Sequence, residues 1–313
     1  HGDAASPKSV VMGHYWYGKL LKKIEELGFK EKNERTGIET KSVFTAILEA
    51  EDAKGFSGFP ISNTRKIHWK GAVIETLWLL GIHMKDDRYK DLPMTNTRYL
   101  EDYGVRYWRP WQDINGNLGP VYGEQLVNWY DHNTDSHINQ IQNIIDTLRT
   151  NPTDRRLVAS MWNPAEIGKM VLPPCHHSLW FYSRQREDGK RVLDTTWHQR
   201  SADMPIGIPY NILQYTIVNK IVAMCSGHIP GVVRGVLGNA HYYLDQAEGV
   251  QEIISREEEV TKCPKPQLVI SERLLEKVWC GEMLELSDFA VDGSDFKVVD
   301  YNPLGAIKMP VAV

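Results

Sequence analysis

The sequence predicts an α+β fold in which helices pack around a mostly β core, and three observations point to it. Two long apolar stretches, 67–82 and 211–225, read as buried helices. Short runs rich in β-branched and aromatic residues, 157–162, 178–183 and 191–198, are separated by turns bearing Gly or Pro and read as strands. No repeat, low-complexity linker or shift in composition divides the chain, so residues 13–313 are expected to form one α+β domain.

Taken in order, residues 1–12 mix Gly, Ala, Ser and Pro without periodicity and are expected to be a flexible tail or a remnant of expression. From 13 to 27 the apolar and aromatic positions recur at helical spacing with Lys and Glu between them, and Gly28 ends the pattern. Residues 42–49 alternate as a strand does. Glu75 stands inside the apolar 67–82 helix, 86–109 is a polar and aromatic loop, and 136–148 reads as an amphipathic helix opened by a capping Asp or Ser.

Composition limits the partners. With 313 residues, 42% of them hydrophobic, there is ample surface to bury a core. A net charge of −4 and a pI near 6.3 argue against non-specific binding to nucleic acid or anionic membranes, so any phosphate recognition must be local. Cys175, Cys225, Cys263 and Cys280 form no CxxC pair and are too scattered for a disulfide framework or a zinc site. A reducing cytoplasm, no metal and no membrane span are therefore expected, since no apolar stretch reaches the roughly 20 residues that cross a bilayer.

Chemistry concentrates in Pro173-Pro174-Cys175-His176, then His198-Gln199-Arg200-Ser201-Ala202-Asp203, then Gly207-Ile208-Pro209-Tyr210-Asn211. Cys175 alone reads as inert packing, since a free cysteine is usually a small buried hydrophobe. Arg200 changes the weighing, because a neighbouring cation lowers a thiol pKa and also binds anions. Acyl transfer with His176 or His177 as base is disfavoured: adjacent strand residues point to opposite faces, and no orienting Asn or Asp motif follows.

These residues, with others, resemble the thymidylate synthase family. The resemblance covers about 33–313 and rests on Arg35-Thr36-Gly37, Phe59-Pro60, Glu75 with Leu77-Trp78, Leu118-Gly119-Pro120-Val121-Tyr122-Gly123, Asp154-Arg155-Arg156, Ser160-Met161-Trp162-Asn163-Pro164, the Cys175 and Gln199-Arg200-Ser201 segments, Gly207-Ile208-Pro209-Tyr210-Asn211, His241-Tyr242-Tyr243 and the terminal Ile307-Lys308-Met309-Pro310-Val311-Ala312-Val313. It implies a thymidylate synthase-like fold with its sheet at a homodimer interface, and one-carbon transfer from 5,10-methylenetetrahydrofolate, a consumed co-substrate, to C5 of dUMP. Addition of a Cys175 thiolate at C6 would make the ring nucleophilic at C5. Glu75 then resembles the carboxylate that organises water and moves protons, and Tyr122 the group that assists removal of the C5 proton.

By the same resemblance, Arg35, Arg200 and Ser201 would hold the phosphate, with Arg155 and Arg156 reaching across from the other subunit. His241 and Tyr243 would meet the 3′-hydroxyl. Asn211 would read uracil, since relatives that act on dCMP carry Asp there. Trp108 and Trp111, loop aromatics of a kind that more often pack than touch a ligand, would wall the pterin together with Leu172, Gly207 and Tyr210. Asp203 would bond the pterin, Arg65 would lie near the glutamate tail, and the tail ending in Val313 would close over the folate.

The pattern departs from the family on the folate side. There is no second glycine in Arg35-Thr36-Gly37-Ile38-Glu39-Thr40, the turn after the Glu75 helix is Gly81-Ile82-His83-Met84-Lys85-Asp86-Asp87, Arg109 replaces an acid, Trp180 a Gln, and Asp245-Gln246 an Asn-His. Two products are therefore open: dTMP with dihydrofolate, which is favoured, or 5-hydroxymethyl-dUMP with tetrahydrofolate. A non-catalytic nucleotide-binding paralogue is the remote alternative.

Overall fold

The structure is a computed structural model and describes residues 16–312; the predicted tail 1–12, the first predicted helical residues 13–15 and Val313 lie outside them. In chain order it comprises helix α1 (Tyr17–Leu27), strands β1 (Phe29–Lys32) and β2 (Glu39–Ala50), helices α2 (Trp69–Leu79), α3 (Arg98–Asp102) and α4 (Gly123–Asn128), hairpin strands β3 (Trp129–Asp131) and β4 (Ser136–Ile138), and helix α5 (Gln140–Thr150). Strands β5 (Val158–Ser160), β6 (His176–Gln185) and β7 (Arg191–Asp203), helix α6 (Ile208–Ser226), strand β8 (Ile229–Tyr243), helix α7 (Ala247–Val260), strand β9 (Gln267–Ile270), helix α8 (Glu272–Trp279) and strand β10 (Phe296–Val299) follow.

Six strands form one sheet in the order β1-β2-β8-β7-β6-β5. All pairs are antiparallel except β7 and β8, which run parallel. A parallel pair needs a crossover, and α6 supplies it. Helices α2 and α6 pack against each other and α6 lies on the sheet, so both are buried around almost their whole circumference. Their apolar character without an amphipathic stripe follows from that position. Lys220, in the middle of α6, is fully buried yet satisfied, donating to the carbonyls of Ala53 at 2.9 Å and Gly55 at 2.5 Å.

The helices cover one face of the sheet and leave the other open. On the other face Val158, Trp180 and Tyr182 are more than half exposed, and Phe44 on β2 is 63% exposed. The 136–148 helix needs correction: 136–138 pairs as β4, and the helix starts at Gln140 behind Asn139, whose side chain accepts from Gln142 N at 2.9 Å. Asn fills the capping role expected of Asp or Ser. The 67–82 helix stops at Leu79, because Gly81 takes φ 70° and closes the turn.

One distortion shapes the site. Buried positions of β2 run Val43, then Ala46, Leu48 and Ala50; in the paired middle of β7 they run Thr195, Trp197 and Gln199, then Ala202, and in that of β8 Val233, Gly235 and Leu237, then Ala240. Alternation thus slips by one residue at the same level in three neighbouring strands, at Thr45 with φ 70° and beside Gly238, whose Cβ would lie 2.7 Å from the Arg200 carbonyl. Such bulges bend a sheet and re-aim side chains. Beyond the bend come Arg200, Ser201, Asp203, His241 and Tyr243. No helix among the described residues is long and apolar enough to cross a membrane.

Candidate active site

Cys175 ends the Pro173-Pro174 turn that feeds β6 and is half-buried. Prolines offer carbonyls but no N–H, and Arg200 takes both: Nε donates to Pro174 O at 2.9 Å and Nη2 to Pro173 O at 3.0 Å. Arg200 N also donates to Cys175 O at 2.9 Å. This grip leaves Arg200 Nη2 4.0 Å from Cys175 Sγ. Burial pushes the thiol pKa up, and the charge of Arg200 opposes it most, followed by the Tyr122 hydroxyl and Arg35. The guanidinium moderates the burial penalty without overcoming it.

Tyr122 precedes α4 with φ 36° and ψ −94°, a conformation an L-residue holds only when its surroundings enforce it. Its oxygen accepts from Cys175 N at 3.0 Å, leaving the phenolic hydrogen free to donate. Burial holds its pKa well above the ordinary value, so it stays a neutral phenol. His176 stacks on it at 4.4 Å and is bonded through Nδ1 to the Tyr215 hydroxyl. Burial drops the His176 pKa to about 3, which removes it as a base.

Glu75 enters from α2 and is buried, with its pKa pushed up to about 7 by desolvation and eased down by Gln214 and then Trp108. Glu75 Oε2 and Trp108 Nε1 are buried without partners of ordinary hydrogen-bond geometry. In the first turns of α6, Asn211 accepts from Gln199 Nε2 at 3.2 Å and donates to Gln214 Oε1 at 3.4 Å.

Around this centre, Arg35 lies in the exposed turn ahead of β2, near enough to Tyr243 and to the Cys175 thiol for its charge to lower both pKa values against burial. His241, beside Tyr243 at 5.3 Å between ring centres, is held by Asn239 Oδ1 at 2.9 Å. Ser201 follows Arg200 on β7 and is half-buried. Asp203 pairs with His241 in the β7–β8 register, and burial lifts its pKa to about 6 against the Ile206 N–H at 3.1 Å.

Trp108 packs on Trp78, Trp111 and Tyr122 with ring centres 6.0 to 6.1 Å apart. Arg65 donates from Nη2 to Pro205 O at 2.5 Å, while its Nε is buried without a partner. Gly207 caps α6, Tyr210 accepts from His68 N at 3.3 Å, and Leu172 is half-buried ahead of Pro173. The C-terminal segment is docked: Gln246 Nε2 donates to Pro310 O at 2.9 Å, Arg256 Nη1 to Gly305 O at 2.5 Å, and Met309 sits where a Cβ on Gly249 would be.

Two expected residues stay outside the cluster. Arg155 and Arg156 lie in the exposed turn before edge strand β5 and form no ion pair among the described residues. The departures also point elsewhere. Arg109 forms an ion pair with Glu101 at the surface, and Trp180 lies on the open face of the sheet against His198, ring centres 4.0 Å apart. In the altered turn after Gly81, His83 stacks on Tyr99 at 4.8 Å and bonds Met94 O at 3.0 Å, forming a packed support.

Sequence reasoning gave no role to Gln199, Gln214 or Tyr215. Gln214 was within reach of it, standing three residues after Asn211 on the same helical face; Tyr215 needed the fold to bring it to His176. Among the described residues no group of three or more His, Cys, Asp or Glu could hold a metal ion.

A family model described as thymidylate synthase matches residues 15–313, nearly the whole chain. Members of that family catalyse folate-dependent one-carbon transfer to C5 of dUMP, and the chain belongs to the thymidylate synthase family.

Proposed function

We propose that this chain is a cytoplasmic thymidylate synthase that converts dUMP and 5,10-methylenetetrahydrofolate to dTMP and dihydrofolate within one catalytic domain, residues 13–313. The observation that carries this reading is the convergence on Cys175 of Arg200, 4.0 Å from Sγ, and Tyr122, bonded to its backbone N–H. Cys175 adds to C6 of the base. Arg200, Ser201 and Arg35 bind the phosphate with the charge concentrated there, and His241 and Tyr243 hold the sugar. Tyr122, neutral with a free hydrogen, works through water at the C5 proton. Glu75, titrating near neutrality, exchanges protons with the base and folate.

The folate supplies the one-carbon unit, and the residues placed for it fit a polar ring system. Trp108, Trp111, Leu172, Gly207 and Tyr210 wall it, Asp203 bonds the pterin, and Arg65 lies at the glutamate tail. The buried Arg65 Nε, without a partner of ordinary hydrogen-bond geometry, supports that fit, because a poorly satisfied donor of this kind calls for an acceptor. The docked 304–310 segment supports closure by the tail toward Val313.

Hydride transfer is favoured because Arg109 is held by Glu101 in a surface ion pair and Trp180 packs on His198 on the open face of the sheet. One observation favours the second product, 5-hydroxymethyl-dUMP: Glu75 Oε2 and Trp108 Nε1 are buried polar atoms of the kind that hold an ordered water. Incubating the protein with both substrates, resolving nucleotides by mass and following dihydrofolate absorbance decides the matter. dTMP with dihydrofolate is expected; 5-hydroxymethyl-dUMP with tetrahydrofolate overturns the product and leaves the nucleophile in place.

The reading includes a homodimer. Its support is the open sheet face bearing Val158, Trp180 and Tyr182, next to the exposed Arg155 and Arg156 that a second copy would receive at its phosphate. Sedimentation should show a dimer that Trp180→Asp weakens.

A further inference from the structure

An asparagine does not read a base by itself. Rotated by half a turn, its amide exchanges acceptor for donor and suits cytosine as well as uracil. Something must fix which way Asn211 points. The fully buried Trp197, two strand positions before Gln199, is where the geometry leads.

An indole nitrogen can only donate. Trp197 Nε1 donates to Gln199 Oε1 at 3.0 Å, which forces the Gln199 amide nitrogen to the opposite side. There both of its hydrogens are used, one on Ser201 O at 3.0 Å and one on Asn211 Oδ1 at 3.2 Å. Gln199 cannot turn over without leaving several buried groups mismatched. Asn211 must therefore turn its oxygen to Gln199, and its nitrogen faces Gln214 Oε1 at 3.4 Å. One lone pair and one N–H of Asn211 remain for a ligand, the pattern that complements N3–H and O4 of uracil. Cytosine presents the reverse and would set the amide nitrogen of Asn211 against that of Gln199.

The indole is itself locked. It faces Gly235 across the β7–β8 register, where a Cβ would lie 2.4 Å from Cζ2, and its other side stacks on Tyr215 at 5.4 Å and 15°. Glycine opposite a tryptophan in mid-sheet has a use here: it admits the ring at the one height where its N–H meets Gln199.

We propose that Trp197 is a specificity-determining positioning residue, which fixes through Gln199 the amide orientation by which Asn211 selects uracil over cytosine. The proposal rests on the reading of Asn211 as the base-reading group. Trp197→Phe keeps a ring between Gly235 and Tyr215 and removes only the donor. Dissociation constants for dUMP and dCMP, measured by calorimetry, should then show the preference for dUMP falling by about tenfold or more, with weaker dUMP binding and unchanged or tighter dCMP binding.

A purely structural role weakens both nucleotides together and leaves the ratio unmoved, which overturns the proposal. Should Trp197→Phe fail to fold, Gln199→Glu gives the decision, since a carboxylate still accepts from the indole but has no hydrogen for Asn211; an unchanged ratio there overturns it too. Asn211→Asp separates the two levels. If that variant leaves the ratio unchanged, the base-reading role of Asn211 fails. If it moves the ratio while Trp197→Phe and Gln199→Glu do not, only the relay fails.

Discussion

The two halves of the proposed site differ in how completely their polar atoms are satisfied. On the nucleotide side, Arg200, Tyr122, Gln199 and Asn211 close their hydrogen bonds on one another and on the Cys175 turn, from strand ends and the first turns of a helix. On the folate side, Glu75 Oε2, Trp108 Nε1 and Arg65 Nε are buried without partners of ordinary hydrogen-bond geometry, although Gln214 and Trp108 are near enough to lower the Glu75 pKa. An unpaired buried polar group costs roughly 1–3 kcal/mol, so the second half is the less stable arrangement by itself and the one whose groups have most to gain from a polar ligand.

Removing the nucleophile is the largest expected effect. Cys175→Ala should lower turnover by about a thousandfold or more while dUMP still binds, because the groups proposed for phosphate and base are bonded independently of the thiol. Loss of dUMP binding in calorimetry would show that the nucleotide half is not preassembled and would break the contrast.

Glu75 tests the other half. Glu75→Gln should cut kcat by about a hundredfold, the range for losing a positioned proton carrier. It should also change stability with pH in a defined direction. The Glu75 pKa lies near 7 in the folded chain against 4.5 for a free carboxyl, so the native state holds the extra proton between those values. Stability then falls as pH rises from about 4.5 to about 7, by up to about 3 kcal/mol, and stays low above that. Asp203 and Glu257 shift in the same direction, but they cancel when the variant is compared with the parent. Thermal unfolding at pH 5 and pH 8 should show the variant gaining on the parent at the higher pH; parallel curves would mean that Glu75 is not buried as described.

A third change probes how tightly the nucleotide half is packed. Gly235→Ala drives a methyl into the Trp197 ring, and overpacking of this kind costs about 1–3 kcal/mol. Denaturant unfolding measures it, and a neutral result would mean that the indole has room to move. The smallest effect is expected from Arg109→Ala, which breaks only a surface pair with Glu101. kcat/KM should change by less than about threefold. A larger loss would place Arg109 in the folate half and reopen the choice of product.

The sequence by itself determined the elements whose signal is local, and with them the family. Helix α1 follows from its spacing of buried Tyr17, Leu20, Leu21 and Ile24, and β2 from alternation. The ordered motifs about Cys175, Arg200 and Asn211, together with the others along the chain, marked the thymidylate synthase resemblance that the family model bears out. The tertiary structure alone decided what depends on distance. That the sheet is covered on one face only, that 136–138 pairs as a strand, and that alternation slips together in β2, β7 and β8 are properties of neighbouring strands, which no single segment encodes. The same holds for the pKa of Glu75, which needs the desolvation of an assembled core, and for the direction in which Asn211 points. That direction is set by an indole N–H fourteen residues earlier in the chain, and only the fold brings the two into one chain of hydrogen bonds.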